Sequence, residues 1–185
     1  MTPWKLHRAV RTLSIGGIIA YPTEAVYGLG CDPFNPFAVE DLLRLKQRPM
    51  DKGLIIIAAS IKQLETFITL PSARQLQTIK SSWPGPVTWL LPARHDVPVW
   101  LTGQYQNIAV RVTAHRQTAQ LCHAFGGGLV STSANLPGHP PARHSWQVHN
   151  HFADSVDMII GGATGGQRRP SEIRDATTGN IVRPG

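Results

Sequence analysis

The chain has 185 residues, of which 42% are hydrophobic and 16% are charged. This composition is typical of a globular protein with one core and excludes a disordered chain. Lysine and arginine total 18 against 11 acidic residues, which gives a net charge of +7. The surplus fits a polyanionic ligand such as a nucleotide or RNA, and surface charge that serves only solubility fits it equally well.

The sequence has no apolar stretch near the roughly 20 residues of a membrane span. Residues 1–13 lack the long apolar region and the cleavage site of a secretory signal, so we expect a cytoplasmic protein with no membrane partner. Cys31 and Cys122 lie far apart and outside any CxxC pattern. We therefore predict two buried thiols, and neither a disulfide framework nor a zinc site.

The first part of the chain predicts helix, strand, loop and helix in that order. Residues 2–13 begin with a Thr-Pro pair typical of a helix N-terminus and end before two glycines. Residues 18–21 form a short apolar strand, and residues 22–32 have the glycine and proline spacing of an ordered loop. An Asn-Pro pair then begins a second helix over residues 35–48.

The remainder predicts strands that alternate with helices. The apolar run at 54–59 lacks alternation, which indicates a strand covered on both faces. Ser60 and Gln63 have the spacing of a capping box and predict a helix through residue 68. We expect the later elements in this order: a helix ending near residue 83, strands at 87–91 and 108–112 paired as a hairpin, a helix at 118–125, a strand at 129–132, a loop at 137–143, and short strands around 158–160, 173 and 181. The alternation predicts a single α/β domain over residues 1–185, with a mixed, twisted sheet flanked by helices.

Polar side chains follow the first predicted strand. Thr23, Glu24 and Tyr27 stand beside Gly28 and Gly30, and glycines allow backbone N–H groups to approach a ligand closely. The segment is therefore a candidate binding loop. A tight turn with a packed tyrosine is the alternative.

Three cations lie within seven residues at the end of the second helix. Lys46, Arg48 and Lys52 have a spacing that suits a triphosphate and a departing pyrophosphate. The alternative is simple pairing of cations with the carbonyl groups at a helix C-terminus.

The segment at residues 131–135 follows a buried strand with three hydroxyls and an amide. Polar residues at strand ends are the usual binding position in α/β sheets, and Ser131, Ser133 and Asn135 are candidates to hold phosphate or ribose oxygens. A helix N-cap with spare hydroxyls is the alternative.

Arg111 lies inside the apolar strand at 108–112, where an unpaired charge is costly to bury. We expect an anionic partner, and a substrate carboxylate is a better candidate than any acid near it in the sequence. The alternative is an arginine on an edge strand that points to solvent.

The C-terminal third offers weaker signals, among them Ser171 and Arg183. No GxxxxGK[ST] pattern occurs, which excludes a Walker A phosphate loop. His144, His149 and His151 lack the spacing of a zinc site and are expected on the surface.

Six segments, PTEAVYGLG, KQRPMDKGLI, PGPVT, STSAN, PSEIRD and the final RPG, stand in an order and spacing that resemble the YrdC family. The resemblance covers residues 15–185. It implies a threonylcarbamoyl-AMP synthase, which condenses L-threonine, bicarbonate or CO₂, and ATP into threonylcarbamoyl-AMP and pyrophosphate. A partner transferase complex then modifies adenosine 37 of tRNAs that read codons beginning with A.

The resemblance also implies roles for individual residues. Contacts to threonine or the threonylcarbamoyl group would come from Thr23, Tyr27, Arg111, Ser131 and Ser171. Contacts to ATP would come from Lys46, Arg48, Lys52, Ser133, Asn135, Arg143 and Arg183. Of these, Lys46, Arg48 and Lys52 would be catalytic because they stabilise the departing pyrophosphate together with Mg²⁺, whose carboxylate ligands the sequence does not identify. Glu24 is at best a residue behind the ligand contacts.

The sequence departs from the family pattern at Gly53 and at Ile57, where many relatives have a polar residue. Ile57 therefore cannot offer threonine a hydrogen bond. Two other functions remain open: a module that binds tRNA or double-stranded RNA through its basic surface without turnover, and a carbamoyltransferase or hydrolase that uses carbamoyl phosphate.

Overall fold

The computed structural model describes residues 1–152 and 154–185. Within them, nine strands form one sheet in the order β7-β1-β2-β6-β3-β5-β4-β8-β9. The strands are β1 Ile19–Pro22, β2 Tyr27–Gly30, β3 Ile55–Ala58, β4 Val87–Pro92, β5 Asn107–Val112, β6 Leu129–Ser133, β7 Met158–Ile159, β8 Glu172–Asp175 and β9 Ile181–Arg183.

The sheet is mixed, as the sequence predicts. Strands β4 and β5 are antiparallel neighbours, which confirms the predicted pairing of these two segments. Strand β3 runs parallel to β5 on one side and antiparallel to β6 on the other. These three central strands carry Ile55, Arg111 and Ser131 to one region of the sheet, because Ile55 lies opposite Ser131 on β6 and Ile57, two residues further along β3, lies opposite Arg111 on β5.

Helices flank this sheet. They are α1 Pro3–Ser14, α2 Pro36–Leu45, α3 Ala73–Lys80, α4 Val99–Thr102, α5 Arg116–Phe125 and α6 Ser145–Phe152, and short 3₁₀ turns occur at Met50–Lys52 and Ile61–Leu64. Thr2 and Asn35 cap α1 and α2 with their side chains, and Gly126 ends α5 at a φ of 86°. A positive φ suits glycine, which explains why the helix ends there. None of the helices in the described residues is long and apolar enough to cross a membrane.

Two local predictions are wrong, and helices α4 and α6 were not predicted. Part of the predicted loop at 22–32 is strand β2. The capping box at Ser60 does not form, because the Gln63 side chain accepts from Ala59 N at 2.9 Å and donates to Cys122 O at 2.9 Å. The residues after Ser60 form only a short 3₁₀ turn, and a capping box forms instead at Ser72 in front of α3.

The core has two parts, one on each side of the central sheet. Ile56 belongs to the larger part with α2, and Ile57 belongs to the smaller part with α1 and α5. This confirms that the strand at 54–59 is covered on both faces. Cys31 and Cys122 are buried free thiols, one in each part, as predicted.

Candidate active site

A cavity of about 350 Å³ collects polar side chains from six separate parts of the chain. These parts are the β1–β2 turn, the segment before β3, strand β5, the end of β6, and the segments next to β8 and β9. Nine of the twelve site residues predicted from the sequence line it: Thr23, Tyr27, Arg48, Arg111, Ser131, Ser133, Asn135, Ser171 and Arg183.

The β1–β2 turn is built by its own hydroxyl groups. Thr23 donates to Val26 O from both its backbone N (3.0 Å) and its Oγ1 (2.7 Å). The Tyr27 hydroxyl is fully buried and accepts from Gly162 N at 3.0 Å while it donates to Gly162 O. The turn is therefore both tight and packed, and it also faces the cavity.

Gly28 allows the β1–β2 turn to approach the end of β6. A Cβ atom there would lie 3.3 Å from Ser131 Oγ and 3.4 Å from the Thr23 methyl group. A larger side chain would push these groups apart and would fill the space between them. The glycine therefore keeps two candidate threonine contacts on the same wall.

Arg111 is buried on an inner strand, between β3 and β4, so the edge-strand alternative is wrong. Its Nη2 lies 3.5 Å from Glu24 Oε2, and both side chains are 7% exposed. The expected anionic partner is present, and it is a protein carboxylate that sequence proximity to Arg111 did not indicate. Glu24 is distant in sequence, and only the β1–β2 turn brings it beside β5.

The surroundings of the Glu24 carboxyl group favour its ionised form. Burial alone would raise its pKa, but the Arg111 charge and hydrogen bonds from Thr113 and Ala114 lower the pKa below its ordinary value. Thr113 Oγ1 donates to Glu24 Oε1 at 2.7 Å and Ala114 N donates at 2.9 Å. Glu24 therefore has a larger part in the site than its sequence context predicts, although an acid within a turn that is followed by glycines is a signal for such a role.

Lys46 stands behind the cavity wall. Its Nζ donates to Ser133 O at 2.7 Å, to Asn135 Oδ1 at 3.1 Å and to Asn135 O. Ser133 Oγ also donates to Asn135 Oδ1 at 2.7 Å. Burial, and then the charge of Arg48, lower the pKa of Lys46 to about 8. The lysine therefore fixes the turn at 133–135.

Arg48 and Arg183 are held by backbone carbonyl groups. Arg48 Nη2 donates to Gly53 O at 2.8 Å, and Arg183 Nη2 donates to Ser171 O at 2.9 Å. Burial and then the charges of Arg48 and Arg111 lower the pKa of Arg183, which indicates that the three guanidinium groups repel one another. Such a group is stabilised by an anionic ligand.

The chain resembles known proteins over nearly its whole length. A sequence model described as telomere recombination, Sua5/YciO/YrdC, matches residues 11–185. The chain belongs to this family. The threonylcarbamoyl-AMP synthase of Cellvibrio japonicus is 50% identical over 188 aligned residues that cover 100% of both chains. That of Klebsiella pneumoniae is 54% identical over 96% of this chain and 94% of the relative.

Solved structures of the Sua5/YciO/YrdC family have the same fold. The P. abyssi Sua5 complexed with L-threonine has a TM-score of 0.93 and is 33% identical over 100% of this chain, which spans 55% of that protein. E. coli YciO has a TM-score of 0.87 and is 27% identical over 100% of this chain and 90% of its own. The predicted family and the predicted α/β fold are both confirmed.

Besides Lys46, two predicted nucleotide contacts do not line the cavity of this family member. Lys52 is exposed on the 3₁₀ turn after α2. Arg143 is also exposed, and its guanidinium donates to Gln167 O at 3.3 Å and to Arg168 O at 2.6 Å. Their roles toward ATP stay predictions.

Arg143 holds a segment that we call the covering segment, residues 161–170. Gly165 N donates to Thr23 O at 2.9 Å and Gln167 N donates to Glu24 O at 3.0 Å. A Cβ at Gly165 would lie 3.0 Å from the Glu24 Cα, so glycine permits this close contact. The sequence pattern excludes a Walker A loop here, but it does not predict that these glycines pack on the β1–β2 turn.

Ile57 lies fully buried in the smaller core, and it does not line the cavity. The expectation that its side chain makes no polar contact with threonine agrees with this position. The apolar wall of the cavity is formed instead by Leu54, Ile55 and Val26.

The cavity offers little to a bare metal ion. In residues 1–152 and 154–185, no three histidine, cysteine or acidic side chains lie close enough together to hold one. Glu24 is the one acid in the described lining, and its carboxylate is occupied by Thr113, Ala114 and Arg111. A Mg²⁺ ion at this site would therefore depend on phosphate oxygens and water for its ligands.

Proposed function

We propose that this chain is an L-threonylcarbamoyl-AMP synthase that uses ATP, L-threonine and bicarbonate or CO₂. The observation that carries the proposal is the meeting of two anion-binding regions in one cavity. We call the region of Thr23, Glu24, Arg111, Ser131 and Ser171 the amino-acid end, and the region of Arg48, Arg183 and the turn at 133–135 the phosphate end. The synthase names of full-length relatives at about 50% identity support the same activity.

The reaction has two steps, and the first forms N-carboxythreonine. The threonine nitrogen bonds to the carbon of bicarbonate or CO₂. Starting from the threonine ammonium group, one water and one proton leave with bicarbonate, and two protons leave with CO₂. The product carries both a carboxylate and a carbamate. We assign its carboxylate to Arg111, because the guanidinium fork matches a planar carboxylate.

In the second step a carbamate oxygen attacks the α-phosphorus of ATP. The new P–O bond forms as the bond to the β-phosphate oxygen breaks, so threonylcarbamoyl-AMP and pyrophosphate are released. No side chain has to serve as nucleophile. The protein contributes alignment of the two reactants, and alignment alone is worth roughly 7 to 11 kcal/mol in favourable cases.

We assign the charge that develops on pyrophosphate to Arg48 and Arg183. Each guanidinium is anchored by a carbonyl group and is therefore oriented before ATP arrives. Lys46 acts on this end through the turn at 133–135, whose hydroxyl and amide groups we assign to ATP. Mg²⁺ bound to the phosphates would neutralise part of their charge. Lys52 and Arg143 would join the phosphate end if ATP draws them inward.

We further propose that residues 1–185 work as one catalytic domain in the cytoplasm, with tRNA and a threonylcarbamoyl-transferase complex as partners. The labile product supports this, because a mixed carbamic–phosphoric anhydride has to be transferred before water consumes it. The net charge of +7 favours proximity to tRNA.

The test is pyrophosphate release from ATP by the purified chain, with and without L-threonine and bicarbonate, and mass spectrometry of the product. We expect release only with both small substrates and at least a tenfold loss in Lys46→Ala, because the turn at 133–135 loses its anchor. Lys80→Ala, an exposed lysine on α3, is the matched control and should retain full activity.

Other outcomes would favour the alternatives. Turnover that needs carbamoyl phosphate in place of bicarbonate would identify a carbamoyltransferase or hydrolase. Tight, salt-dependent RNA binding without any ATP turnover would favour the RNA-binding module.

A further inference from the structure

The charges of the cavity are paired at one end and unpaired at the other. Arg48, Arg111 and Arg183 all line it. Within the described residues, only Arg111 of these three has a carboxylate within 4 Å, and that carboxylate belongs to Glu24. Arg48 and Arg183 have carbonyl partners, which orient a guanidinium group without cancelling its charge.

Glu24 cannot move away from Arg111 without breaking several contacts. Its Oε1 accepts from Thr113 Oγ1 and Ala114 N, and its backbone carbonyl accepts from Gln167 N of the covering segment. The residue is 5% exposed. Its charge is therefore a fixed feature of the amino-acid end.

The pairing leaves Arg111 able to donate hydrogen bonds. Its side chain lines the cavity, and the ion pair with Glu24 spans 3.5 Å, longer than a hydrogen bond between ionised groups. Arg111 can thus still bind a carboxylate through directional N–H contacts. Its attraction for a highly charged anion is weakened, because the net charge of the pair is close to zero.

Threonine and ATP differ in net charge, as the two ends of the cavity do. Free threonine is a zwitterion, and its ammonium group is repelled by lone arginines but tolerated beside a carboxylate. The ATP triphosphate carries several negative charges and is attracted to uncompensated guanidinium groups. Without Glu24, a triphosphate could bind across all three arginines and block the threonine position.

We propose that Glu24 is a specificity-determining residue that reserves Arg111 for the amino acid by cancelling its attraction for polyphosphate. This inference rests on the proposed synthase function and assigns a task to a residue that the family resemblance left without one. Glu24 acts by charge rather than by contact with the reacting atoms, so it is a positioning residue and not a catalytic one.

The test is the inhibition pattern of inorganic tripolyphosphate in the pyrophosphate-release assay, with ATP labelled so that only released pyrophosphate is counted. In the unchanged protein, tripolyphosphate should raise the apparent KM for ATP and leave that for threonine unaltered. In Glu24→Gln it should become competitive with threonine as well, and the threonine KM should rise about tenfold even without inhibitor. Glutamine keeps an oxygen for Thr113 and Ala114, so the change removes charge with little change of shape.

Two further variants separate charge from structure. Glu24→Asp keeps the charge and should retain the original inhibition pattern. Asp96→Asn, which breaks the exposed ion pair with Arg94, is the matched control for the loss of one acid and should change nothing. An unaltered inhibition pattern in Glu24→Gln would overturn the inference.

The role of Glu24 can still be tested if the Glu24→Gln variant does not fold. Thr113→Val then takes its place, because it removes the hydroxyl that holds the carboxylate and should shift the pattern in the same direction by a smaller factor. Calorimetric competition between threonine and tripolyphosphate does not need turnover. If the unchanged protein releases no threonine-dependent pyrophosphate, the proposed function fails, and this binding competition still tests the role of Glu24.

Discussion

The two ends of the cavity use the same side chain in different ways. At the amino-acid end a guanidinium group is buried beside a carboxylate, and at the phosphate end two guanidinium groups are held only by carbonyl oxygens. The first arrangement favours a ligand with directional hydrogen bonds and little net charge. The second favours a ligand with high negative charge. Arginine content alone therefore does not identify a phosphate site. The partner of each arginine determines which class of ligand that arginine favours.

The largest effect should follow from Arg48→Ala at the phosphate end. Loss of a preorganised donor to the departing pyrophosphate should lower kcat/KM for ATP by about 10²- to 10³-fold. Threonine affinity, measured by calorimetry without ATP, should not change. Arg44→Ala is the matched control, because Arg44 lies on α2 four residues before Arg48 and pairs in solvent with Glu40 and Asp41. If Arg48→Ala weakened threonine binding as much as it lowered kcat/KM for ATP, the two ends of the cavity would not have separate ligands.

An intermediate effect should come from titration of Lys46. Burial and then the charge of Arg48 lower its pKa from 10.5 to about 8, so above pH 8 the folded state binds fewer protons than the unfolded chain. This lysine therefore makes folding more favourable as pH rises from about 8 to 10.5. Activity should change in the opposite sense, because the neutral amine has one N–H fewer for the three oxygens around it.

The measurement is kcat/KM for ATP against pH. We expect a fall that approaches about tenfold per pH unit above the pKa of Lys46. Lys46→Arg should abolish this fall, because arginine stays protonated throughout the range. Lys80→Arg serves as the control, and its kcat/KM should still fall above the pKa of Lys46. A fall of the same steepness in Lys46→Arg would show that another group titrates.

The smallest effect should follow from Ser171→Ala at the amino-acid end. Ser171 is buried, and its Oγ accepts from Thr88 Oγ1 at 3.3 Å. Loss of one neutral hydrogen bond costs about 1 kcal/mol, so the threonine KM should rise roughly fivefold while kcat stays the same. Ser81→Ala on the exposed end of α3 should leave both constants unchanged. A lower kcat with an unchanged threonine KM would instead assign Ser171 to the phosphate end.

The fold was largely predictable because hydrophobic periodicity and helix caps are local signals. The apolar run at 54–59 and the Asn-Pro pair before α2 each act within a few residues, and both predictions hold. The capping box at Ser60 failed for a tertiary reason. Gln63 finds partners at Ala59 and at Cys122 of α5, and these compete with the cap.

The sequence predicted most of the residues that line the candidate site. It predicted fewer of the contacts that these residues make. Eight of the nine predicted residues that line the cavity stand in the six family segments, and the ninth, Arg111, stands in the apolar strand at 108–112. The sequence did not reveal that Lys46 acts from behind the turn at 133–135. It also did not reveal that Arg143 holds the covering segment, since the carbonyl groups that it binds have no sequence signal.

The sequence by itself determined the family, the mixed α/β sheet and the collection of hydroxyl, amide and cationic groups around one site. Local propensity and side-chain chemistry are properties of neighbouring residues, and a linear pattern records them. Only the tertiary structure decided which arginine has a carboxylate partner. Glu24 and Arg111 meet because the β1–β2 turn packs against the end of β5, and the interaction of two charges depends on their distance and burial rather than on their separation along the chain.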